Sequence, residues 1–516
     1  MAFRCENCNG SVIFDIASQQ MRCLHCDSVF PPESFRVRDA GAPVPGGRMA
    51  EYECGGCGAV LESTDDSMIG FCPYCGGQSM LRREKEEAAP LEGIIPFRIT
   101  REECGEAYRR FARKVPYLPR EMCSSAFLEK FTGIYMPFYT YDVDVNAASM
   151  EGHRTVESNA RYSVANTYLV TAAAGSAFHG AAYDGSAHLD DELSARCLPF
   201  DASRERAYTP AYLAGFYADT ATVPGTLYYA DAREYAAGAV KEQLAWELKR
   251  RDMTPDSSTG RVSVSTSAHH PALFPLWFLT WRKGDRVAYA VINGDSGRVV
   301  SDLPLNAATF LWGSLAAAAA LFAVLELLFQ PTPLLTSFLS LAAALLMAVS
   351  IRRSGKSAYD KATPANDKGW RSAAGTLEEP EGGKTRRGAA AAAVLAVLCA
   401  ALLLGGWFWF APSVSVSYPA LPGAAVLIYV FASVGRLLAW RKASGSGAAL
   451  GAMLLVLLAV LVNLAVVIWS PVNDGWYYIG DGACILALLL ASLGMIRAYN
   501  LQTTRPLPKL FGRKEV

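Results

Sequence analysis

Eight cysteines carry the chemistry most legible in the chain. Cys5-Glu6-Asn7-Cys8 is followed after fourteen residues by Cys23-Leu24-His25-Cys26. Cys54-Gly55-Gly56-Cys57 is followed, again after fourteen, by Cys72-Pro73-Tyr74-Cys75, and the two blocks are offset by forty-nine residues throughout. A CxxC turn aims two thiolates at one point, and its amides can donate to the sulfurs. Two facing turns make a closed tetrahedral all-sulfur site, which suits Zn2+ in a structural role. The expectation is two structural zinc ions, one on Cys5, Cys8, Cys23 and Cys26 and one on Cys54, Cys57, Cys72 and Cys75. The alternatives are paired disulfides or iron in a rubredoxin-like site, and ligand type alone does not separate iron from zinc. A site with four protein ligands has no position open for water or substrate, so these ribbons hold no reaction of their own. Each block is too short for a real core, so metal binding must supply much of its folding free energy, roughly 10–16 kcal/mol apparent.

The elements around these sites follow from composition. The chain has 516 residues, enough for several domains, and 48 basic against 48 acidic side chains. No global field favours nucleic acid. Residues 1–80 carry five Arg, no Lys and ten Asp/Glu, a net −5, the wrong sign for phosphate. Glu51, Glu53, Glu62, Asp65 and Asp66 make the second block the more acidic, a protein-binding or solvated face. The other five cysteines, Cys104, Cys123, Cys197, Cys399 and Cys484, show no spacing pattern. Metal-type cysteine usage points to a reducing compartment, and Arg4, Cys5 and Glu6 stand where a signal peptide needs apolar residues.

Patterning divides the chain into zinc ribbon 1 (1–40), zinc ribbon 2 (48–80) and an α+β region (91–303) with antiparallel strands. Thr100-Arg101-Glu102-Glu103 is a capping box, and Cys104, Ala107, Tyr108 and Phe111 follow at helical spacing until Pro116. Ile134 to Val145 is rich in aromatic and β-branched residues and reads as a strand. Asp231-Ala232-Arg233-Glu234 reads as the start of a second capped helix running to about Arg251. Residues 273–300 read as an antiparallel meander turning at Lys283-Gly284-Asp285.

Beyond residue 306 lie six apolar segments, about 306–329, 334–351, 388–410, 422–440, 448–469 and 477–496. Each approaches the roughly 20 residues that cross a bilayer. The connection 352–387 carries nine Lys/Arg, while 330–333, 411–421 and 470–476 carry none. The expectation is an all-α six-helix transmembrane region (306–497) with a basic tail (498–516), in the bacterial cytoplasmic membrane with both termini cytoplasmic.

Several tempting motifs fail. Gly355-Lys356-Ser357 and Gly383-Lys384-Thr385 lack the earlier glycine of a phosphate loop. Asp142 and Asp144 share a strand face, a weak acid–base signal beside a solvated edge. His153 and the other histidines show no helical pairing.

A wider set of residues resembles a known family. It comprises the tandem cysteine blocks, Ile95-Pro96-Phe97, Gly133-Ile134-Tyr135-Met136-Pro137-Phe138, Tyr212-Leu213-Ala214-Gly215-Phe216, Pro275-Leu276-Trp277, Asn293-Gly294 and Gly297-Arg298-Val299. Over roughly 1–305 the chain resembles the bacterial membrane proteins labelled TFIIB-type zinc-ribbon-containing. That resemblance implies no established reaction, and it implies association with SPFH-domain or phage-shock-type envelope-stress proteins. The functional expectation is a non-enzymatic membrane adaptor or scaffold that recruits a protein partner. The alternatives are a membrane-bound enzyme with its site in 91–303, around Asp142, Asp144 or His153, and a transporter with a regulatory domain.

Overall fold

The computed structural model describes residues 3–35, 50–63, 72–78, 80–83, 91–158, 163–172, 176–328, 333–362, 367–373, 420–444, 447–469, 472–473 and 475–506. The first ribbon is a four-stranded antiparallel sheet, β1 (Phe3–Arg4), β2 (Ser11–Asp15), β3 (Gln20–Cys23) and β4 (Val29–Phe30), in that order. Alternation decides its inner face: Val12, Phe14, Met21 and Cys23 are buried. The Asp15 carboxylate closes the β2–β3 turn by accepting the Ser18 amide and hydroxyl. This sheet does not float free. Phe14 lies edge-on to Tyr212 at 5.2 Å, its amide donates to the Ala214 carbonyl, and Gln19 donates to the Phe97 carbonyl.

The second ribbon is three strands, β5 (Ala50–Cys54), β6 (Val60–Ser63) and β7 (Met80–Arg83). Three pairings merge it with the α+β region. β6 runs antiparallel to β13 (Tyr217–Asp219), and β13 runs parallel to β9 (Thr132–Ser158). β9 then pairs antiparallel with β14 (Thr254–Lys283), from Thr132 opposite Phe278 to His153 opposite Thr254. Strands of 27 and 30 residues are about three times the usual maximum. Register shifts at Asp256/Arg261, Ser263/Val264 and Thr266/Ala268 break the pair into shorter regular runs.

Smaller strands complete this sheet. β8 (Gly93–Ile94) and β12 (Arg206–Ala207) extend it beyond β14, and β10 (Ser163–Ala172) and β11 (Ser176–Asp184) pair with β9. The expected meander is present as β14, β15 (Arg286–Asn293) and β16 (Val299–Ser301), with Gly284 at φ +61° in the first turn.

Among the helices, α1 (Arg101–Ala112) starts at the Thr100 capping box and buries Cys104, Tyr108 and Ala112. The short α2 (Ser125–Leu128) and α3 (Asp191–Cys197) follow, the latter capped by Asp190. α4 (Tyr229–Arg250) begins two residues before the expected start and has no side-chain cap. Its Leu244 and Leu248 pack on Val145 and Met150 of β9.

Several of the residues named in the sequence as a set gather around the Phe97 ring. Phe97 stacks on Phe216 at 4.5 Å and lies near Tyr135 at 4.9 Å and Trp277 at 5.1 Å. A Cβ on Gly294 would meet Phe97 at 2.6 Å, and one on Gly133 would meet Phe216 at 2.6 Å. These glycines exist because aromatic rings occupy the space a side chain would need. Phe97, Tyr135, Phe216 and Trp277 therefore belong to the buried core.

The apolar half corrects the sequence reading. Its described helices are α5 (Ala307–Leu328), α6 (Pro333–Ala362), α7 (Lys368–Ala373), α8 (Ala420–Ser444), α9 (Gly447–Trp469) and α10 (Gly475–Thr503). Among the described residues no helix is long and apolar enough to cross a membrane. This overturns the expected multi-pass, six-helix transmembrane region and the bacterial cytoplasmic-membrane placement with both termini cytoplasmic. The segment 388–410 lies outside the described residues.

Part of the apolar content of these helices is buried between them. Leu341, Ala348, Val430, Leu437, Met453 and Val460 share one buried cluster. Ser340 donates to Asp481 at 2.7 Å, while both side-chain polar atoms of the buried Asn463 have no hydrogen-bond partner among the described residues. Trp312, Leu346, Leu458 and Ile485 stay exposed on these helices. The bundle is tied to the sheet at its end. Asn500 exchanges two hydrogen bonds with the Leu305 backbone, and β17 (Arg505–Pro506) pairs with β15. The start of the expected basic tail is thus helix and strand. Residues 507–516 lie outside the described residues.

Candidate metal centres

The four sulfurs of Cys5, Cys8, Cys23 and Cys26 lie within 4.8 Å of one another, as do those of Cys54, Cys57, Cys72 and Cys75. Both clusters could hold a metal ion. Pairs of sulfurs stand 3.5 to 3.6 Å apart. A disulfide needs about 2.05 Å. A tetrahedron of thiolates at zinc's bond length of about 2.3 Å has edges near 3.8 Å. The spacing fits a metal and excludes the disulfide alternative for these eight thiols. Backbone amides reach into the clusters, from His25 to the Cys23 sulfur and from Gly77 to the Cys75 sulfur, each at 3.4 Å. The Ser28 hydroxyl and amide pull the Cys26 thiol down to about 6. Hydrogen bonds from Cys54, Cys57 and Cys75 push Cys72 well up. Four thiols this close oppose one another's ionisation, and a cation between them removes the conflict.

The two centres differ in their surroundings. In the first, Cys8 and Cys26 are exposed and His25 is a surface residue of the knuckle. In the second, all four ligands are buried. Tyr74 lies between its last two ligands and is itself 1 % exposed. Its hydroxyl donates to Asp219 at 2.7 Å, its carbonyl accepts from Tyr289 at 2.5 Å, and the Pro73 carbonyl accepts from Thr280.

A release experiment should separate the centres. Adding a thiol-binding mercurial to the folded protein should free metal in two equal phases. The first should be at least about tenfold faster, because the second centre opens only with its sheet. Cys8→Ser should abolish the fast phase alone. A single phase followed with a metallochromic dye would mean that burial does not distinguish the sites.

Other candidates from the sequence do not come together. Asp142 accepts from His270 at 3.1 Å, whereas His153 lies against Thr167 at 3.0 Å and faces Asp256 at 3.8 Å. Asp144 lies opposite Ser265 on β14. Glu62 of the expected acidic face is buried, and Asp65 and Asp66 lie outside the described residues. Gly355-Lys356-Ser357 falls inside α6, which no phosphate loop could do.

Two arrangements had no sequence signal, since their members come from separate elements. Asp219 accepts from Tyr74, from Ser186 at 2.5 Å and from His188 Nδ1 at 2.9 Å. His270 donates from Nδ1 to Glu92 at 2.8 Å and from Nε2 to Asp142. Those two hydrogen bonds, Glu92 first, raise the His270 pKa above its usual value. A raised folded pKa adds stability that is complete below the unfolded value of about 6.5 and fades as pH climbs through the folded value. The stability difference between wild type and His270→Asn, from denaturant melts, should therefore be largest in mild acid and shrink above neutrality. A difference that grows with pH would contradict the paired-carboxylate geometry.

Comparison with known proteins adds one relative. The chain is 23 % identical over 320 residues to "Uncharacterized protein YdjG" of Bacillus subtilis (strain 168), covering 59 % of this chain and 91 % of that one. No family model matches the chain. No solved structure matches it.

Proposed function

We propose that the chain is a non-enzymatic protein adaptor in which two zinc ions fix the shape of a recruiting surface. The observation that carries this reading is the contrast between the two centres. The second is built into the main sheet. The first presents its knuckle outward, with Leu24 63 % and Val29 53 % exposed beside Cys8 and Cys26. Closed thiolate sites supply shape and no reaction, and an exposed apolar pair on a metal-stiffened turn costs little entropy to dock. This moves the recruiting face from the acidic second ribbon, where the sequence placed it, to the first. SPFH-type and phage-shock-type proteins, the partner class implied by the family resemblance, are the first candidates to test.

The test uses the full chain with Leu24→Glu and Val29→Glu together. Elemental analysis should find two zinc ions in wild type and variant alike. A candidate partner should bind wild type and bind the variant at least about tenfold more weakly, the cost expected for burying a charge at an apolar contact. Equal binding by both, or iron in place of zinc, would count against the reading.

An enzyme with its site in 91–303 is the second reading, and one observation favours it. Asp219, its side chain fully buried, orients His188 through Nδ1, as a carboxylate orients a general base. Ser186, however, donates to the carboxylate and not to the imidazole. The nucleophile–base hydrogen bond of such a site is therefore not formed.

A further inference from the structure

The body has an acidic recess where α3 and α4 begin, and a basic piece of the same chain sits in it. Asp184, at the end of β11, is 2 % exposed. Asp191 opens α3, and Asp231 lies in the first turn of α4. Tyr183 and Tyr228 stack at 4.9 Å to form one wall. Burial, and after it the charge of Asp191, push the Asp184 carboxyl well above the usual range. Carboxylates gathered in a half-buried hollow repel one another unless a cation joins them.

The cation is supplied from 177 residues away in the sequence. The Lys368 amide donates to Asp191 Oδ2 at 2.7 Å, and its ammonium pairs with Asp231 Oδ1. Tyr228 donates to the other Asp191 oxygen at 2.8 Å. Gly369 follows, and a Cβ there would stand 3.1 Å from the Tyr228 hydroxyl and 3.4 Å from Asp191. A main-chain donor, a side-chain cation and a residue without a side chain are thus matched to three features of the recess. Lys368 is 40 % exposed, so the ion pair alone would hold little, and the charge-assisted amide bond and the close glycine fit add the specificity.

We propose that this recess is a receptor for a short basic peptide, and that Lys368-Gly369 with the rest of α7 is its resident ligand. The segment lies in sequence between α6 and α8, so it acts as a strap docked on the sheet body at α7. This inference is independent of the adaptor reading, because it concerns a contact within the chain.

The test compares the full-length wild type with Lys368→Glu by hydrogen–deuterium exchange, and adds a synthetic peptide of residues 365–373. The variant should exchange about tenfold faster across 367–373, because charge reversal removes the pair and repels Asp231. Exchange in β9 and β14 should stay unchanged, which shows that the body is folded. The peptide should bind the variant, slow exchange in α3, and fail to bind wild type, whose recess is filled. Lys368→Arg should keep most of the wild-type protection. Unchanged exchange at 367–373 in Lys368→Glu would overturn the proposal. So would a folded variant that ignores the peptide, or wild type that binds it equally well.

Discussion

Cys72→Ser in the full chain should collapse the protection of the whole 50–303 body, not only of residues 50–83. The second centre is stitched into that body at several points. β6 pairs with β13, the Tyr74 carbonyl accepts from Tyr289, and the Tyr74 hydroxyl donates to Asp219. Its ligands share a buried cluster with Ile134, Phe138, Phe274 and Phe278 of the two long strands. A structural zinc site contributes roughly 10–16 kcal/mol apparent, while a folded domain is stable by about 5–15 kcal/mol in total. Removing one ligand therefore takes away as much as the body has to spare. Cys8→Ser should be milder, because the first ribbon meets the body through packing and a few hydrogen bonds, without sheet continuity. Hydrogen exchange read separately in β5–β7, β13 and β9 distinguishes the outcomes. Fast exchange confined to β5–β7 in Cys72→Ser would show that the ribbon folds and fails alone.

That coupling marks the boundary of what the sequence could show. The cysteine spacing announced both clusters, because a CxxC turn is a local object and its ligands can be read from four positions. The Thr100–Glu103 capping box was legible for the same reason. Strand character at 134–145 and 273–300 was legible, but the length of the β9–β14 pair was not. Pairing at such distances depends on partners that no local pattern names, and register shifts interrupt the alternation. The six expected spans were misread because an apolar run does not by itself tell which of its residues a neighbouring helix buries. Leu437 and Val460 are buried by neighbouring helices, and only contacts between helices reveal that. The acidic recess, the His270 bridge and the Asp219 cluster each unite residues many tens of positions apart, and composition carries no trace of them.

Asp219→Ala should cost the protein about 3–5 kcal/mol, the usual loss when one side of a buried charged network is deleted. Asp219 has no exposed side-chain surface, and His188 keeps 9 % of its own. One Asp219 oxygen accepts from Tyr74 and Ser186, the other from the Thr220 amide, and His188 Nδ1 reaches both. Without the carboxylate, the Tyr74 and Ser186 hydroxyls and the His188 ring lose an acceptor where water does not readily replace it, and each orphaned donor carries its own desolvation cost. Tyr74→Phe removes a single donor and leaves the carboxylate its other partners, so it should cost only about 1 kcal/mol. The two variants also separate a local from a transmitted effect. Tyr74 is held between Cys72 and Cys75, so Asp219→Ala should hasten metal loss from the second centre and leave the first unaltered. Denaturant melts give the energies, and metal-release kinetics give the coupling. A cost below about 1 kcal/mol for Asp219→Ala would mean that water or a rearranged side chain satisfies the network. Equal acceleration of both metals would show a general loosening and not a path through Tyr74.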